Sequence, residues 1–302
     1  MDSRVQPEVV CIGEVLWDVF PDDRRLGGAP FNVACHLSAL GVHAAMISRI
    51  GDDAAGRDIL QQVRERGLVE ELVQVDPHLP TGEVLVTLTG SGTPRYVICE
   101  PAAWDAIRAT TQAHEATRSA TAVVYGSLAQ RREPARSAIR RLLETSAVKV
   151  FDVNLRPPHD DRVIVEHLLH RSDMVKLNDE EMERLAAWYG LDGADSRQQC
   201  ERTASRFGLQ TVCLTRGAAG AALWHRGSWS EVAGHSVSVA DTVGAGDAFL
   251  AGLLFRMLRG DDPDWALAFA NALGAYVASQ PGAIPTLDMT RIHAMIESEE
   301  PA

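Results

Sequence analysis

Short apolar runs alternate with amphipathic segments along most of the chain. The runs are nearly continuous in Val, Ile and Leu, which is typical of strands buried on both faces of a sheet. Six of these runs are predicted strands: Val9–Gly13, Ala44–Ile50, Ala122–Gly126, Val148–Val153, Asp173–Leu177 and Thr211–Thr215. Helical patterns separate them, including Arg57–Arg66, Pro134–Thr145 and Glu180–Tyr189. This alternation predicts an α/β fold in which helices cover a mostly parallel central sheet.

Two stretches, Val15–Leu26 and Thr81–Cys99, break this alternation. They have the pattern of short strands joined by Gly or Pro turns without an intervening helix, and Glu83–Leu88 with Arg95–Cys99 is predicted to form a hairpin. We expect a small β lid that excludes water from a site beneath it. The alternative is an edge hairpin without a functional role. The predicted lid comprises residues 15–27 and 81–101.

The loop Asp241–Phe249 places two glycines and a carboxylate before a long apolar helix. Gly244, Ala245 and Gly246 carry almost no side chain, so their N–H groups can point at one ligand oxygen beside the positive end of the helix dipole. Asp247 falls in the first helical turn, where we expect surrounding N–H groups to keep the pKa of its carboxyl low. A weak base suffices for phosphoryl transfer. The loop therefore indicates a kinase acting on an alcohol, and its ordinary alternative is a tight turn.

A second glycine-rich segment near the amino end has the same layout. Gly27 and Gly28 would let a substrate approach the backbone, and Asn32 could bind its hydroxyl groups at the start of a helix. The alternative is an ordinary buried helix. Asp18 is either a second acceptor for substrate hydroxyls or a turn residue.

Composition limits the kind of ligand. The chain has 302 residues, 46% of them hydrophobic, which suffices for one large core, and we expect a single domain over residues 1–302. Its 29 basic and 41 acidic residues give a net charge of −12. This charge opposes binding to nucleic acid or to an anionic membrane. A small molecule is the expected ligand.

Five scattered cysteines without C-x-x-C spacing indicate neither a disulfide framework nor a zinc site. We expect a reducing, cytoplasmic setting. The amino terminus lacks the pattern of a signal peptide, and no run of about 18 apolar residues occurs. His167 and His170 have i, i+3 spacing, but a solvated helix face is the expected interpretation because no third ligand is in view.

Four motifs together resemble the PfkB, or ribokinase-like, carbohydrate kinases, and their order and spacing match over nearly the whole chain. They are Gly27-Gly28…Asn32, Asp152-x-Asn154-x-Arg156, Asn178-x-x-Glu181 and Asp241-Thr-Val-Gly-Ala-Gly-Asp247. Within that family, Gly27–Ala34, Phe151–Pro157 and Pro101–Asp105 are most similar to bacterial fructokinases. Val153 stands where the more general middle motif has proline. The resemblance implies a three-layer α/β/α sandwich with a small β lid.

The resemblance assigns the phosphoryl-transfer groups. It implies that Asp247 is the general base and that Gly244, Ala245 and Gly246 form the anion hole. Asn178 and Glu181 would organise Mg²⁺ and the triphosphate, with Glu181 acting through water. The same pair is also a helix capping box, and both roles are compatible.

The resemblance also implies a sugar site and a nucleotide site. The sugar-binding residues would be Asp18, Gly27, Gly28, Asn32, Arg95, Asp152, Asn154 and Arg156. The ATP-binding residues would be Asn178, Thr215, Arg216, Gly217, Gly246 and Asn271. Arg156 follows a strand and offers donors for a phosphate or an acidic sugar, or else forms a surface ion pair. Thr215–Gly217 also fits a plain turn, and Asn271 an exposed helical position. Asp241 resembles a ligand of a monovalent cation such as K⁺.

The expected protein is an ATP-dependent, Mg²⁺-dependent sugar kinase of the fructokinase type. One alternative is the same chemistry on 2-keto-3-deoxygluconate, whose carboxylate would suit Arg156 or Arg95, or on a nucleoside. Another is a catalytically silent sugar-binding regulator, which would not need the base Asp247. Exposed strand edges of the lid predict a homodimer through the lids.

Overall fold

The computed structural model describes residues 6–88, 94–191 and 193–297, with only the backbone described at positions 88, 94 and 95. The predicted substrate contact of the Arg95 side chain therefore lies outside the described part. The described chain forms strands β1 (Val9–Ile12), β2 (Leu16–Val19), β3 (Arg24–Gly27), β4 (Ala44–Gly51), β5 (Val73–Asp76), β6 (Gly82–Leu88), β7 (Pro94–Ile98), β8 (Ala122–Gly126), β9 (Val148–Asp152), β10 (Met174–Asn178), β11 (Thr211–Thr215), β12 (Ala221–His225) and β13 (Ser228–Val232). Its helices are α1 (Ala29–Ala39), α2 (Ala54–Glu65), α3 (Thr111–Ser119), α4 (Ala135–Leu142), α5 (Arg162–Leu169), α6 (Asp179–Tyr189), α7 (Ser196–Phe207), α8 (Ala245–Met257), α9 (Pro263–Ala278) and α10 (Met289–Glu297).

The large sheet has nine strands in the order β13-β12-β11-β10-β9-β8-β1-β4-β5. All pairs from β11 to β5 are parallel, and β12 and β13 extend the sheet in antiparallel pairing. The six predicted strands occupy the interior, where side chains are buried on both faces; all four residues of β1 are 0% exposed. The prediction of a mostly parallel sheet is confirmed.

The sequence pattern missed three strands at the margins of this sheet. Strand β5 is four residues long with apolar side chains only at alternate positions, and β13 is half exposed. Strand β12 begins with two alanines, which have low strand propensity. The edge strands β5 and β13 lack the continuous apolar run that marks an interior strand, so a pattern based on that run overlooks them. Strand β12 lies between β11 and β13 and was missed because it opens with alanine rather than Val, Ile or Leu.

Helices cover both faces of the large sheet. Apolar residues of α1, α2, α8 and α9 form a core with one face, and those of α3 to α7 form a core with the other. Helix α10 packs on α9. The predicted three-layer α/β/α sandwich is confirmed. No helix in the described ranges is long and apolar enough to cross a membrane.

A separate four-stranded sheet has the order β3-β2-β6-β7. Strands β2 and β6 pair in parallel, whereas the two outer pairs are antiparallel. These strands fall within the two stretches that interrupt the βαβ alternation. Leu16, Val84 and Ile98 of this small sheet line a cavity that also reaches the carboxyl ends of the central strands.

Candidate active site

The cavity has a volume of about 700 Å³ and is bounded by three parts of the fold. The small sheet contributes Asp18 and Tyr96, among others. The carboxyl ends of the central strands contribute further polar side chains: Glu14, Asn154, Arg156, Lys176, Asn178 and Thr215. Segments at the amino ends of α1 and α8 complete the wall with Gly28, Asn32, Gly244, Gly246 and Asp247. Open α/β sheets bind ligands at this edge.

The glycine loop enters helix α8 through a left-handed backbone at Gly244, where φ is 79°. A Cβ atom at this position would lie 2.6 Å from the carbonyl oxygen of Ala283, so only glycine fits. Asp247 lies in the first turn of α8, as the sequence predicted. Its Oδ2 accepts a hydrogen bond from Asn32 Nδ2 at 2.8 Å. The two glycine-rich motifs, 215 residues apart in the chain, therefore meet at one carboxylate.

The expectation that the Asp247 pKa is low was wrong. Burial is the main cause that raises the pKa of Asp247 to about 6, and the charge of Asp152 adds to it, while Lys176, the Asn32 hydrogen bond and Arg156 act in the opposite direction. The described hydrogen bonds bring only the Asn32 amide to this carboxylate, rather than the N–H groups of the helix end. A carboxyl with this pKa is a stronger base than an ordinary aspartate and is still ionised near neutral pH.

Lys176 projects from β10 into the same region and pairs with Asp152 of the neighbouring strand β9. Its Nζ lies 3.0 Å from Asp152 Oδ1 and 3.2 Å from Oδ2. Asp152 is buried and is absent from the cavity wall, whereas Lys176 lines it. The predicted sugar contact of Asp152 thus stays a prediction; in the structure its carboxylate holds the lysine.

Asn178 and Glu181 form the capping box at the start of α6. Asn178 Oδ1 accepts from the Glu181 N–H at 2.8 Å, and Glu181 Oε2 accepts from the Asn178 N–H at 2.9 Å. Glu181 Oε1 also accepts from the Leu155 N–H at 2.8 Å, which fixes the loop after β9. Burial raises the pKa of Glu181, although the charge of Lys176 opposes this.

The loop after β9 presents Asn154 and Arg156 to the cavity. Asn154 has a left-handed backbone with φ 38°, a conformation that asparagine tolerates better than most residues. The exposed Arg156 donates through Nη1 to the Leu155 carbonyl at 3.0 Å. The alternative role predicted for Arg156 was a surface ion pair, and Arg156 takes part in none of the salt bridges of the described residues.

The residues expected to bind substrate hydroxyls meet at the junction of β2, β3 and α1. A Cβ at Gly27 would lie 2.8 Å from Asp18 Oδ2, and one at Gly28, where φ is 113°, would lie 2.5 Å from the Glu14 carbonyl oxygen. Burial raises the pKa of Asp18 to about 6, with Arg156 and Arg25 opposing it. The absent side chain at Gly27 therefore leaves room for the Asp18 carboxylate at the cavity wall, and the absent side chain at Gly28 lets the backbone pass close to that of Glu14.

Asp241 connects the glycine loop with the small sheet. Its Oδ1 accepts from the Val243 N–H at 3.0 Å, and its Oδ2 accepts from the Gly282 N–H at 3.3 Å and from Arg25 Nη1 at 3.0 Å. Arg25 belongs to β3. Three of about four acceptor positions of this carboxylate are thus occupied, one of them by a cation.

Three predicted ATP-binding residues lie outside this cavity wall. Arg216 pairs with Glu231 at 2.6 Å, and Gly217 follows it in the turn after β11. Asn271 is buried in α9 and donates to the Ala233 carbonyl at 2.7 Å, instead of being an exposed helical residue. The structure brings Thr215 and Asn178 to the cavity but not these three side chains.

Sequence reasoning missed several residues of the cavity wall, among them Arg25 and the two buried groups Glu14 and Lys176. Glu14 is 3% exposed, its Oε2 has no hydrogen-bond partner in the described structure, and burial raises its pKa to about 7. In the sequence, the feature that could have identified Glu14 as a site residue was its position just after the first predicted strand. For Lys176 the signal was a charged residue inside the apolar strand Met174–Asn178, where a lone charge is costly.

Residues 6–289 match the description "pfkB family carbohydrate kinase". The chain belongs to this family, whose members are phosphotransferases with an alcohol acceptor. The residue match spans both glycine-rich motifs and the strands between them.

Relatives within this family are named as fructokinases. Fructokinase-1 of Oryza sativa subsp. japonica is 30% identical over 310 residues, which cover 92% of this chain and 94% of the relative. Probable fructokinase-6, chloroplastic, of Arabidopsis thaliana is 30% identical over 314 residues, covering 94% of this chain and 81% of the relative.

Solved structures show the same fold. The fructokinase from Vibrio cholerae O395 in its fructose, ADP and calcium ion bound form has a TM-score of 0.82 and 25% identity, covering 96% of this chain and 99% of that chain. The fructokinase with bound ATP from Xylella fastidiosa has a TM-score of 0.84 and 23% identity, covering 97% and 99%. The ribokinase-like resemblance seen in the sequence is confirmed at the level of the fold.

Proposed function

We propose that the protein is an ATP-dependent fructokinase that transfers the γ-phosphoryl group of ATP to a hydroxyl group of fructose, giving fructose 6-phosphate. The observation that carries the proposal is the meeting of the two glycine-rich motifs at Asp247, on the wall of a cavity roofed by the small sheet. The curated relatives with this name span more than nine-tenths of the chain.

In this mechanism Asp247 accepts the proton of the attacking hydroxyl while that oxygen forms its bond to the γ-phosphorus. The bond between the γ-phosphorus and the bridging oxygen of ADP breaks on the opposite side. The backbone N–H groups of Gly244 and Gly246, which line the cavity, supply hydrogen bonds at the start of α8 to the charge on the transferred group. The N–H of Ala245 can join them by leaving the Thr242 carbonyl, to which it donates at 3.3 Å. Asn32 orients the base through its 2.8 Å hydrogen bond.

The donor set at α6 fits a hydrated Mg²⁺. Asn178 lines the cavity, whereas Glu181 lies behind it, 6% exposed and outside the cavity wall. Each oxygen of Glu181 accepts one backbone N–H and keeps a further acceptor position, so it can reach the ion only through water. Because Mg²⁺ retains several waters, Asn178 and Glu181 would hold it through water beside the triphosphate. When bound, the ion would neutralise charge on the phosphates.

Activation by K⁺ is a separate proposal that concerns the Asp241 carboxylate. Asp241 already accepts from two backbone N–H groups and from Arg25. One acceptor position of this carboxylate is left, but the guanidinium of Arg25 repels a second cation there, so binding of a monovalent cation favours a state in which Arg25 has moved away. Rates of ADP release measured in KCl and in tetramethylammonium chloride at equal ionic strength test whether K⁺ activates the enzyme.

A second substrate class is favoured by the two guanidinium groups, of Arg25 and Arg156, that line the cavity. Either could pair with the carboxylate of an acidic sugar such as 2-keto-3-deoxygluconate. The acidic side chains of Glu14 and Asp18 on the same wall favour the neutral sugar instead.

The deciding experiment measures ADP release by the purified protein with ATP, Mg²⁺ and one acceptor at a time. Fructose should give the highest kcat/KM in a panel that includes 2-keto-3-deoxygluconate, ribose and a nucleoside. A higher value with the acidic sugar would move the assignment to that substrate. If no acceptor releases ADP while fructose still binds by calorimetry, the protein is a sugar-binding regulator.

The proposed assembly is a homodimer through the small sheets. Leu85 of β6 and Val97 of β7 are paired across the hairpin and are 41% and 44% exposed. They alternate with Val84 and Ile98, which line the cavity. Apolar side chains on the outer face of a small sheet support pairing with a second copy.

A cytoplasmic location and a single domain over residues 1–302 complete the proposal. All five cysteines of the chain are free thiols, and four of them are buried. Free thiols fit a reducing compartment.

A further inference from the structure

The chain contains only two lysines, Lys149 and Lys176, against 27 arginines. A position that carries lysine in so arginine-rich a chain suggests a need for a compact ammonium rather than a guanidinium. The surroundings of Lys176 supply such a reason. A Cβ at Gly246 would lie only 3.1 Å from Lys176 Nζ, so the ammonium sits directly against the glycine loop.

The ammonium of Lys176 has a donor to spare. Two of its three N–H groups are accounted for by Asp152 Oδ1 and Oδ2, and no other described residue accepts from it. The residue is 7% exposed, and what is exposed belongs to the wall of the cavity that Gly246 and Asp247 also line.

The surrounding charges keep this lysine protonated. Burial alone would lower its pKa, but the carboxylates of Asp152, Glu181 and Asp247 raise the pKa of Lys176 to about 12. A permanent positive charge therefore stands near the base and against the loop that faces the transferred group.

We propose that Lys176 is a catalytic residue: its free N–H donates to a non-bridging oxygen of the phosphoryl group during transfer, and Asp152 is the residue that positions it. The proposal rests on the proposed kinase reaction. Lys176 gives up no proton; the hydroxyl proton goes to Asp247, and the bonds made and broken at phosphorus are those described above. The alternative is a purely structural lysine that neutralises Asp152.

Kinetics of substitutions at position 176 separate these roles. Lys176→Gln keeps a donor for Asp152 but removes the charge, and Lys176→Met removes both. We expect both variants to lose roughly 10²–10³-fold in kcat, with the KM for fructose changed less than about threefold, as for a lost transition-state donor. Recovery of near-normal kcat in Lys176→Gln would show a structural role and overturn the proposal.

Two controls distinguish a direct contact of Lys176 from an indirect effect. Lys149→Met removes the second lysine of the chain, which pairs with Asp173 at 2.9 Å, and should keep wild-type kcat. Measurements are repeated at pH 9, where Asp247 is ionised in every variant, so a loss caused only by a raised Asp247 pKa would disappear there. Such a disappearance would contradict a direct contact.

A readout in the wild-type protein does not depend on the folding of any variant at position 176. Labelling lysine with ¹⁵N at Nζ gives only two side-chain signals, and Lys149→Arg assigns them. Adding ADP, Mg²⁺, aluminium fluoride and fructose should shift the Lys176 signal and leave that of Lys149 in place. An unmoved Lys176 signal in a complex shown by calorimetry to form would refute the contact, whereas absence of ADP release by the wild type would refute the kinase assignment itself.

Discussion

Asp247 illustrates how a residue found by its motif acquires its properties from residues far away in the chain. The motif placed it in the first turn of α8, next to backbone N–H groups that would lower its pKa. In the structure α1 and the central strands close around it, and burial raises the pKa to about 6. A base with this pKa is better matched to work near neutral pH than an ordinary aspartate.

Replacing Asp247 with Asn should lower turnover by roughly 10²–10⁴-fold, the usual range for a lost general base. The amide keeps an oxygen that can accept from Asn32, so the packing and the binding of ATP should persist. ADP release gives the turnover, and calorimetry with ATP checks binding. Near-normal turnover in this variant would rule out Asp247 as the base.

The pH dependence follows from the direction of the Asp247 shift. The base acts only when ionised, so kcat/KM for fructose should be constant above about pH 7 and fall as the pH drops through about 6. Glu14, with a pKa raised to about 7, titrates in a neighbouring range. The profile of Glu14→Gln identifies the group: an unchanged acid limb assigns it to Asp247, and a lost limb assigns it to Glu14.

At the scale of elements, the catalytic groups are held by the starts of α1, α6 and α8. Helix α6 begins with the capping box, helix α1 with a glycine at positive φ, and helix α8 with another. Each start leaves backbone N–H groups without partners inside the helix, which can face a ligand. Close contacts, rather than the motif alone, explain why glycine is needed at the starts of α1 and α8.

Gly244→Ala should therefore be much more damaging than an alanine at an unobstructed left-handed position. Its Cβ would lie 2.6 Å from the Ala283 carbonyl oxygen, so both backbone strain and a clash apply, whereas Gly190, with φ 66°, has no atom within 4 Å of the added Cβ. We expect Gly190→Ala to cost about 1–2 kcal/mol in urea unfolding. Gly244→Ala should cost more and also lower kcat. Equal costs for the two variants would show that the loop relaxes freely.

At the scale of the whole molecule, two sheets with different roles enclose the site. The nine-stranded sheet carries the cores on both faces, and the small sheet covers the cavity with one face and exposes apolar side chains on the other. Arg25 and Asp241 join the small sheet to the glycine loop. Because Arg25 is about half exposed, this ion pair contributes little stability and can open when substrates enter.

The proposed dimer gives a test at the same scale. Light scattering at micromolar concentration should give twice the mass of the chain, and Leu85→Lys should give the mass of one chain by placing charge on the outer face of the small sheet. Val163→Lys is the matched control, because Val163 is 72% exposed on α5, away from that sheet. A monomeric wild type, or dissociation by the Val163 variant alone, would contradict the proposed interface.

The sequence by itself determined the interior strands, the two interruptions that form the small sheet, and the positions of the four motifs. These features are local: continuous apolar runs, turn residues and helix starts depend on neighbours in the chain. Tertiary structure alone decided the pKa of Asp247, the pairing of Lys176 with Asp152 and the unpartnered Oε2 of Glu14. Such properties depend on burial and on charges brought together from distant segments, and no local pattern records which segments will meet.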